Sequence, residues 1–211
     1  MAIPLKEQVF EQIKNKIVFL DYKPGDPIHE NDIAKSLSVS RTPVREALLD
    51  LKAIRLINII PRSGIYVADI DMLELRDLYL VKRKLEGMVA ELAAIKMTDP
   101  AIVKLGEIIE ELEQGSVSKS IASTVQFDHK FHEFLYNNIY NKPLVEVIKS
   151  IEPRCLRAWC YLFSDVNEST MLINNLRNVY EAICERNPQK AREEMELHVS
   201  DFIDKVEKFL S

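Results

Sequence analysis

The chain has 211 residues, and its composition already excludes several classes of protein. With 47% hydrophobic and 29% charged residues, it is predicted to fold into a globular protein with a buried core. Its five glycines lack the spacing of a phosphate-binding loop, and its three cysteines form no CxxC pair, so we expect no nucleotide chemistry and buried free thiols. We find no signal peptide and no apolar run long enough to span a bilayer, and therefore expect a cytoplasmic protein with no membrane partner.

The net charge gives little indication of a binding partner. The formal charge is −5 overall, and residues 1–70 carry ten Lys and Arg against nine Asp and Glu. A nucleic-acid-binding protein usually carries a clear basic surface. Any argument for DNA binding therefore depends on where individual basic residues lie.

The first 70 residues are predicted to form three helices and a hairpin. Apolar periodicity predicts helices from about Pro4 to Leu20 and from Glu30 to Leu37, and a third around Val44–Leu51 with Pro43 in its first turn. Two β-rich segments follow, Leu56–Ile60 and Ile65–Ala68, joined by a short turn in which Gly64 is predicted to supply a positive φ. The order of helix, helix, tight turn, helix and two-stranded wing predicts a winged helix-turn-helix domain over residues 1–70.

From residue 71 onward the pattern is helical throughout. The predicted helices are Leu73–Lys96, Asp99–Gln114, Ser118–Ile139, Pro143–Phe163 with an interruption at Pro153, Ser169–Glu185 and Pro188–Leu210. The predicted fold class is mainly α: an N-terminal winged helix-turn-helix plus a C-terminal all-helical bundle over residues 71–211.

Several parts of the first 70 residues form a recognisable signature: Lys23-Pro24-Gly25-Asp26, then Glu30, Ile33-Ala34 and Leu37, the run Val39–Leu48, and the wing run Gly64–Val67. Together they resemble the winged-helix domain of GntR-type transcription regulators. The resemblance implies that the start of the third helix enters the major groove of an operator, through Ser40, Arg41, Thr42 and Arg45. It also implies that the wing tip, with Arg62 and Gly64, enters the minor groove.

The residue types in this region suit DNA recognition. A guanidinium can donate two hydrogen bonds to guanine, while hydroxyls and helix N-terminal amides hold phosphates. Arg41 and Arg45 lie one helical turn apart and can reach the same groove. The alternative is that these arginines belong to an ordinary solvated helix face.

Two residues depart from the family pattern. Leu20 and Arg55 stand where the family usually has glycine, and a residue with a Cβ resists a positive φ. Arg55 therefore either changes the cap of the third helix or adds a phosphate contact beside the wing.

The C-terminal part resembles the FCD effector domain of FadR-type GntR regulators, in its shorter, VanR-like form. The resemblance rests on Arg83-Lys84-Leu85-Glu86, Phe127-Asp128 with Phe131-His132, Ala182-Ile183 and His198. It implies a divalent metal ion such as Zn, Ni or Mn held by Asp128, His132 and His198, with Leu176 in place of a further histidine. Asp128 and His132 are four residues apart and share a helix face, whereas His129 points elsewhere. A hydrogen-bonded polar pair in a metal-free bundle is the alternative.

The remaining expectations concern partners and competing functions. Arg83, Arg154 and Arg157 are candidate partners of a small organic acid effector, although each could equally form an interhelical salt bridge. We expect a homodimer that binds an inverted repeat of double-stranded DNA. A metal enzyme is disfavoured because there is no HExxH motif, and a helical protein-interaction module is the third possibility. We therefore predict a DNA-binding transcription regulator that is not an enzyme.

Overall fold

The computed structural model describes residues 4–116, 120–163 and 175–210, which contain nine helices and a small sheet. These residues divide into two compact units. The first contains residues up to Asp71 together with Ser150–Tyr161, and the second contains Met72–Lys149 and the described residues from Leu162 onward. The sequence predicted a single boundary at residue 70, so the grouping of Ser150–Tyr161 with the first unit was not predicted.

The first unit is built around three short helices and three strands. Its elements are α1 (Leu5–Val18), β1 (Pro27–Ile28), α2 (Glu30–Ser36), α3 (Arg41–Ala53), β2 (Ile57–Ile60) and β3 (Gly64–Val67). The antiparallel sheet has the order β1-β3-β2, and Tyr66 in β3 lies opposite both Pro27 and Asn58. The predicted hairpin is therefore confirmed. β1 was not predicted, because two residues are too short to show an alternating pattern.

The core of this unit fixes which face of α3 stays outside. Helices α1 and α2 both pack on α3, which buries Val44, Ala47, Leu48 and Leu51 at i, i+3, i+4 and i+7. Each fully buried Leu or Val side chain stabilises the fold by about 1.5–3 kcal/mol relative to exposure. The opposite face of α3 is thereby left on the surface.

The ends of α1 and α3 adopt the left-handed conformation at the two positions where glycine was expected. Leu20 has φ of 65° and Arg55 has φ of 59°. After α3, the Arg55 amide donates to the Lys52 carbonyl and the Leu56 amide donates to the Leu51 carbonyl. This is a Schellman motif, with Arg55 at the position that favours glycine. Arg55 thus keeps the usual cap and does not replace it with another.

The described residues from Met72 onward form helices, as predicted. Its helices are α4 (Met72–Lys96), α5 (Asp99–Ser116), α6 (Ile121–Asn138), α7 (Lys142–Leu162), α8 (Leu176–Cys184) and α9 (Pro188–Leu210). In the second unit α9 packs along α4 and α8, and α5 packs on α6 and α8. The mainly α fold class is confirmed.

Some helix limits differ from the predictions. Helix α7 continues through Pro153, where an interruption was predicted. Helix α6 begins after Ser120, whose hydroxyl accepts a hydrogen bond from the Ser123 amide. The predicted helix from Ser169 is described only from Leu176, since residues 169–174 lie outside the described residues.

Two further sequence predictions can be compared with the structure. The three cysteines are free, but only Cys155 is buried, because Cys160 is half-buried and Cys184 is exposed, so the prediction of buried thiols was wrong for two of them. Among the helices of the described residues, none is both long and apolar enough to cross a membrane.

Candidate DNA interface and metal centre

The predicted DNA-reading side chains lie together at the exposed start of α3. Ser40 precedes the helix in an extended conformation, and its hydroxyl makes no capping hydrogen bond to the helix. Arg41 is the first helical residue, and Thr42 and Arg45 follow on the surface. The unpaired amides of this helix start, the hydroxyls and the two guanidinium groups form a donor-rich edge suited to phosphates and guanine.

Arg45 is held by Glu30, a signature residue for which no role was predicted from the sequence. Its Nε donates a hydrogen bond of 2.8 Å to Oε2 of Glu30, the first residue of α2. The side chain of Arg45 is 62% exposed and that of Glu30 is 26% exposed. The two residues are 15 positions apart, and only the packing of α2 on α3 brings them together.

The wing ends in a tight turn with two left-handed residues. Arg62 has φ of 66° and Gly64 has φ of 142°, and both residues are exposed. Gly64 was predicted to supply a positive φ, and this is confirmed. The hydroxyls of Ser63 and Tyr66 lie 3.1 Å apart and link the turn to β3.

A second constellation lies in the interior of the second unit. Asp128 and His132 from α6 meet His198 from α9, and all three side chains are buried. Nε2 of His132 lies 3.3 Å from Nε2 of His198 and 3.7 Å from Oδ1 of Asp128. Nε2 of His198 lies 3.2 Å from the same Oδ1.

These three atoms fit the donor set of a divalent metal ion. Ligand atoms bound about 2.1 Å from a tetrahedral ion lie roughly 3.4 Å apart, and the three observed separations range from 3.2 to 3.7 Å. Among the described residues, the buried Oδ1 of Asp128 accepts no hydrogen bond of ordinary geometry. Two imidazole nitrogens and a carboxylate oxygen are ligands that Zn²⁺, Ni²⁺ and Mn²⁺ accept.

Glu86 orients His132, and the sequence analysis did not identify this role. Nδ1 of His132 donates to Oε2 of Glu86 over 3.0 Å, and the Tyr136 hydroxyl donates to Oε1. Nζ of Lys82 lies 3.8 Å from Oε1, and Glu86 is fully buried. With Nδ1 carrying the proton, Nε2 of neutral His132 presents a lone pair to the cluster, which is the usual arrangement of a metal-ligating histidine. A glutamate at a core position of the α4 periodicity was the signal in the sequence.

The carboxylates of the cluster favour a positive charge on His132. Burial lowers the pKa of His132, but the carboxylates of Glu86 and Asp128 outweigh it and raise this pKa to about 10. Burial likewise opposes ionisation of Glu86, yet His132 and Lys82 lower the pKa of Glu86 to about 2. The pKa of Asp128 lies well below its usual range, because the attraction of His132 and His198 exceeds the effect of burial. A cation at the centre of this cluster is therefore favoured, whether it is a proton or a metal ion.

Two protein-family models match this chain, one over the candidate DNA interface and one over the candidate metal centre. Residues 5–67 match the model of the gntR family of bacterial regulatory proteins, and residues 77–201 match the FCD domain. The chain belongs to the GntR family and carries an FCD domain. It is therefore a DNA-binding transcription regulator, and its relatives are named as transcription regulators too.

Curated relatives and solved structures agree with this assignment. The regulator is 25% identical to the HTH-type transcriptional repressor RspR of Escherichia coli over 203 residues, which cover 96% of this chain and 89% of that protein. It is 31% identical to the Nta operon transcriptional regulator of Aminobacter aminovorans over 134 residues, 63% of each chain. The fold is similar to that of E. coli McbR/YncC, with a TM-score of 0.89 over all of both chains and 22% identity.

The position of Leu176 bears on the candidate metal site of this GntR-family regulator. Leu176 is the first residue of α8 and is fully buried. Helix α8 packs against α4, which carries Glu86, and against α9, which carries His198. The described cluster of potential ligands comprises Asp128, His132 and His198, without a fourth residue from α8. His129 lies outside it, 3.9 Å from Glu133 and one-third exposed, as predicted.

The three arginines predicted to bind the effector of the regulator have different surroundings. Arg83 belongs to the second unit, where its Nη1 donates to the Ser200 hydroxyl of α9 over 3.4 Å. Arg154 and Arg157 lie one turn apart in the part of α7 that groups with the first unit. Both Nη groups of buried Arg157 donate to backbone carbonyls, to Ala68 over 2.7 Å and to Asp69 over 3.2 Å. Burial lowers the pKa of Arg157 to about 10, despite the opposing charge of Asp69.

Proposed function

We propose that this regulator binds its operator under the control of a small carboxylate effector that coordinates a divalent metal ion in the FCD domain. The observation that carries this proposal is the convergence of three buried ligand atoms, from Asp128, His132 and His198, within 4.8 Å of one another. A buried carboxylate beside two imidazoles is costly to maintain unless a cation satisfies it. The ion proposed is Zn, Ni or Mn.

Each residue of the cluster would have a distinct role in binding the ion. Asp128 would supply negative charge, His132 and His198 would supply neutral nitrogen donors, and Glu86 would fix the ring of His132 in the right tautomer. With three protein ligands, the ion would offer open coordination positions to a carboxylate of the effector. Leu176 is buried at the start of α8, and we propose that it faces this site, which would favour an effector that also has a hydrocarbon part.

The three arginines are proposed as effector partners with unequal support. Arg83 is the best supported, because its hydrogen bond to Ser200 is long and because it lies three residues before Glu86 on α4, close to the same helix face. At Arg157 an effector would compete with the carbonyls of Ala68 and Asp69. Arg154 is half-buried and lies on the same helix.

On the DNA, Ser40, Arg41, Thr42 and Arg45 are proposed to read the major groove, and Arg62 with Gly64 the minor groove. Support comes from the exposure of all six residues and from the helix start that presents the first four. One recognition helix reads only a few base pairs, so a two-fold dimer on an inverted repeat is needed for a specific operator.

Helix α4 offers a surface for this homodimer. Its exposed large apolar side chains recur at steps of seven or eight residues: Leu73, Leu80, Val81, Met88 and Ile95. If a second copy packs its α4 antiparallel about Lys84, Leu73 meets Ile95 and Leu80 meets Met88 across the two-fold axis. Lys84 itself is neutralised by Glu196 at 2.6 Å, so the centre of the contact does not carry two unpaired charges.

The metal proposal is tested on chelator-treated full-length protein. Calorimetry with Zn²⁺, Ni²⁺ and Mn²⁺ should give one site per chain in the wild type, and Asp128→Asn should abolish it while nearly preserving the side-chain volume. His129→Ala removes a neighbouring imidazole outside the cluster and should leave metal binding unchanged. If the wild type binds none of these ions, Asp128 and His132 form a polar pair in a metal-free bundle. The mass of any copurified small molecule would then identify the effector class.

A further inference from the structure

We infer that Glu30 is a positioning residue that sets base specificity through Arg45, an inference that rests on the proposed role of Arg45 in reading DNA. Oε2 of Glu30 accepts the Nε–H of Arg45 over 2.8 Å. The side chain of Arg45 is largely exposed, whereas only about a quarter of the Glu30 side chain is accessible. The more buried Glu30 therefore restrains the more exposed Arg45. Glu30 is also fixed by its place as the first residue of α2.

The atom used in this contact determines what Arg45 can still do. The hydrogen bond occupies Nε, and it leaves the two Nη groups at the tip of the guanidinium to donate elsewhere. Two parallel donors at the tip match the O6 and N7 acceptors of one guanine. Glu30 therefore favours end-on reading of a base by Arg45 over a side-on contact to a phosphate.

Preordering by Glu30 also changes the free energy of binding. A free arginine on a helix surface loses rotamer entropy when a base contact fixes it. Because Arg45 is already restrained before DNA arrives, part of that loss is incurred in the free protein, and the specific complex gains affinity.

The charge of Glu30 acts in the opposite direction on non-specific DNA. A carboxylate close to the interface repels phosphates at every sequence, and partial neutralisation of Arg45 reduces its attraction to the backbone. The pair thus weakens binding to the wrong sequence while it supports binding to the right one, which is how a repulsive element increases specificity.

The experiment uses full-length protein and three kinds of labelled duplex at one salt concentration. These are a duplex selected by the wild type from random DNA, single-base variants of that duplex, and a shuffled duplex of equal length. The variants are Glu30→Ala, Glu30→Gln, Arg45→Ala and the double variant. Asp32→Asn is the matched control, because Asp32 is an exposed acidic residue in the same turn of α2 that leaves the Arg45 contact intact.

Glu30→Ala is expected to weaken binding to the selected duplex by roughly two- to tenfold, to strengthen binding to the shuffled one, and to lose discrimination at the base read by Arg45. Glu30→Gln keeps an acceptor for Nε–H and should retain that discrimination. Asp32→Asn should strengthen binding to both duplexes without changing base preference. In the Arg45→Ala background, Glu30→Ala should no longer affect discrimination.

Two results would overturn the inference or its basis, and they can be told apart. If Arg45→Ala weakens specific binding but Glu30→Ala behaves like Asp32→Asn, Glu30 contributes only charge and the positioning role is wrong. If Arg45→Ala itself leaves specific binding unchanged, the proposed DNA-reading role of Arg45 is wrong.

Discussion

Replacing Arg55 with glycine should stabilise the winged-helix domain, although the substitution removes a whole side chain. Arg55 has φ of 59° at the end of α3. A non-glycine residue in the left-handed conformation costs about 1–2 kcal/mol. Glycine avoids this cost but makes the unfolded chain more flexible, which lowers stability by about 0.4–1 kcal/mol.

The difference gives a predicted gain of roughly 0.5–1 kcal/mol in the free energy of unfolding for Arg55→Gly. The side chain of Arg55 is exposed, so its interactions are made at the surface and contribute little to stability. The backbone hydrogen bonds of the cap, from the amides of Arg55 and Leu56, do not depend on the side chain and should persist.

The assay is urea unfolding of the full chain, followed by far-ultraviolet circular dichroism at one protein concentration, since a dimer would make the midpoint depend on concentration. Lys52→Gly is the matched control: Lys52 is also basic and exposed, three residues earlier, but lies within α3. There glycine should destabilise by about 1 kcal/mol. If Arg55→Gly is no more stable than the wild type, the positive φ at this position carries no strain that glycine relieves.

Three further predictions concern the proposed sites. Arg45→Ala should weaken specific operator binding by roughly 1–3 kcal/mol without unfolding the domain, and unchanged binding in a fluorescence titration would refute the groove assignment. Leu176→His should add a fourth ligand, a third imidazole nitrogen, and tighten Zn²⁺ or Ni²⁺ binding in calorimetry, at some cost in packing; equal affinity in mutant and wild type would mean that residue 176 does not face the site. Met88→Asp should convert the proposed homodimer to a monomer in light scattering, whereas Val103→Asp, at an exposed apolar position on α5, should not; a dimer in both would place the interface elsewhere.

Local patterns in the sequence were sufficient for much of the fold and for one of the two sites. The apolar positions of α3 at i, i+3, i+4 and i+7 determine its buried face, so the exposure of Arg41 and Arg45 on the other side follows from helix geometry alone. The pairing of Asp128 with His132 is equally local, because four residues make just over one helical turn. The turn at Gly64 needed a positive φ, which the residue type itself indicated.

Other features depend on residues that are distant in the chain. His198 meets His132 across 66 positions and Glu86 meets His132 across 46, because α4, α6 and α9 pack together, and no periodicity within one helix can specify which side chains then converge. The link from Glu30 to Arg45 arises in the same way from the packing of α2 on α3. Local preference also failed where tertiary packing opposed it: Leu20 and Arg55 adopt a positive φ, and α7 continues through Pro153. The local cost is about 1–2 kcal/mol for a left-handed residue and about 3 kcal/mol for a proline inside a helix. In each case the free energy of burying the helix exceeds this cost, and that burial exists only in the folded structure.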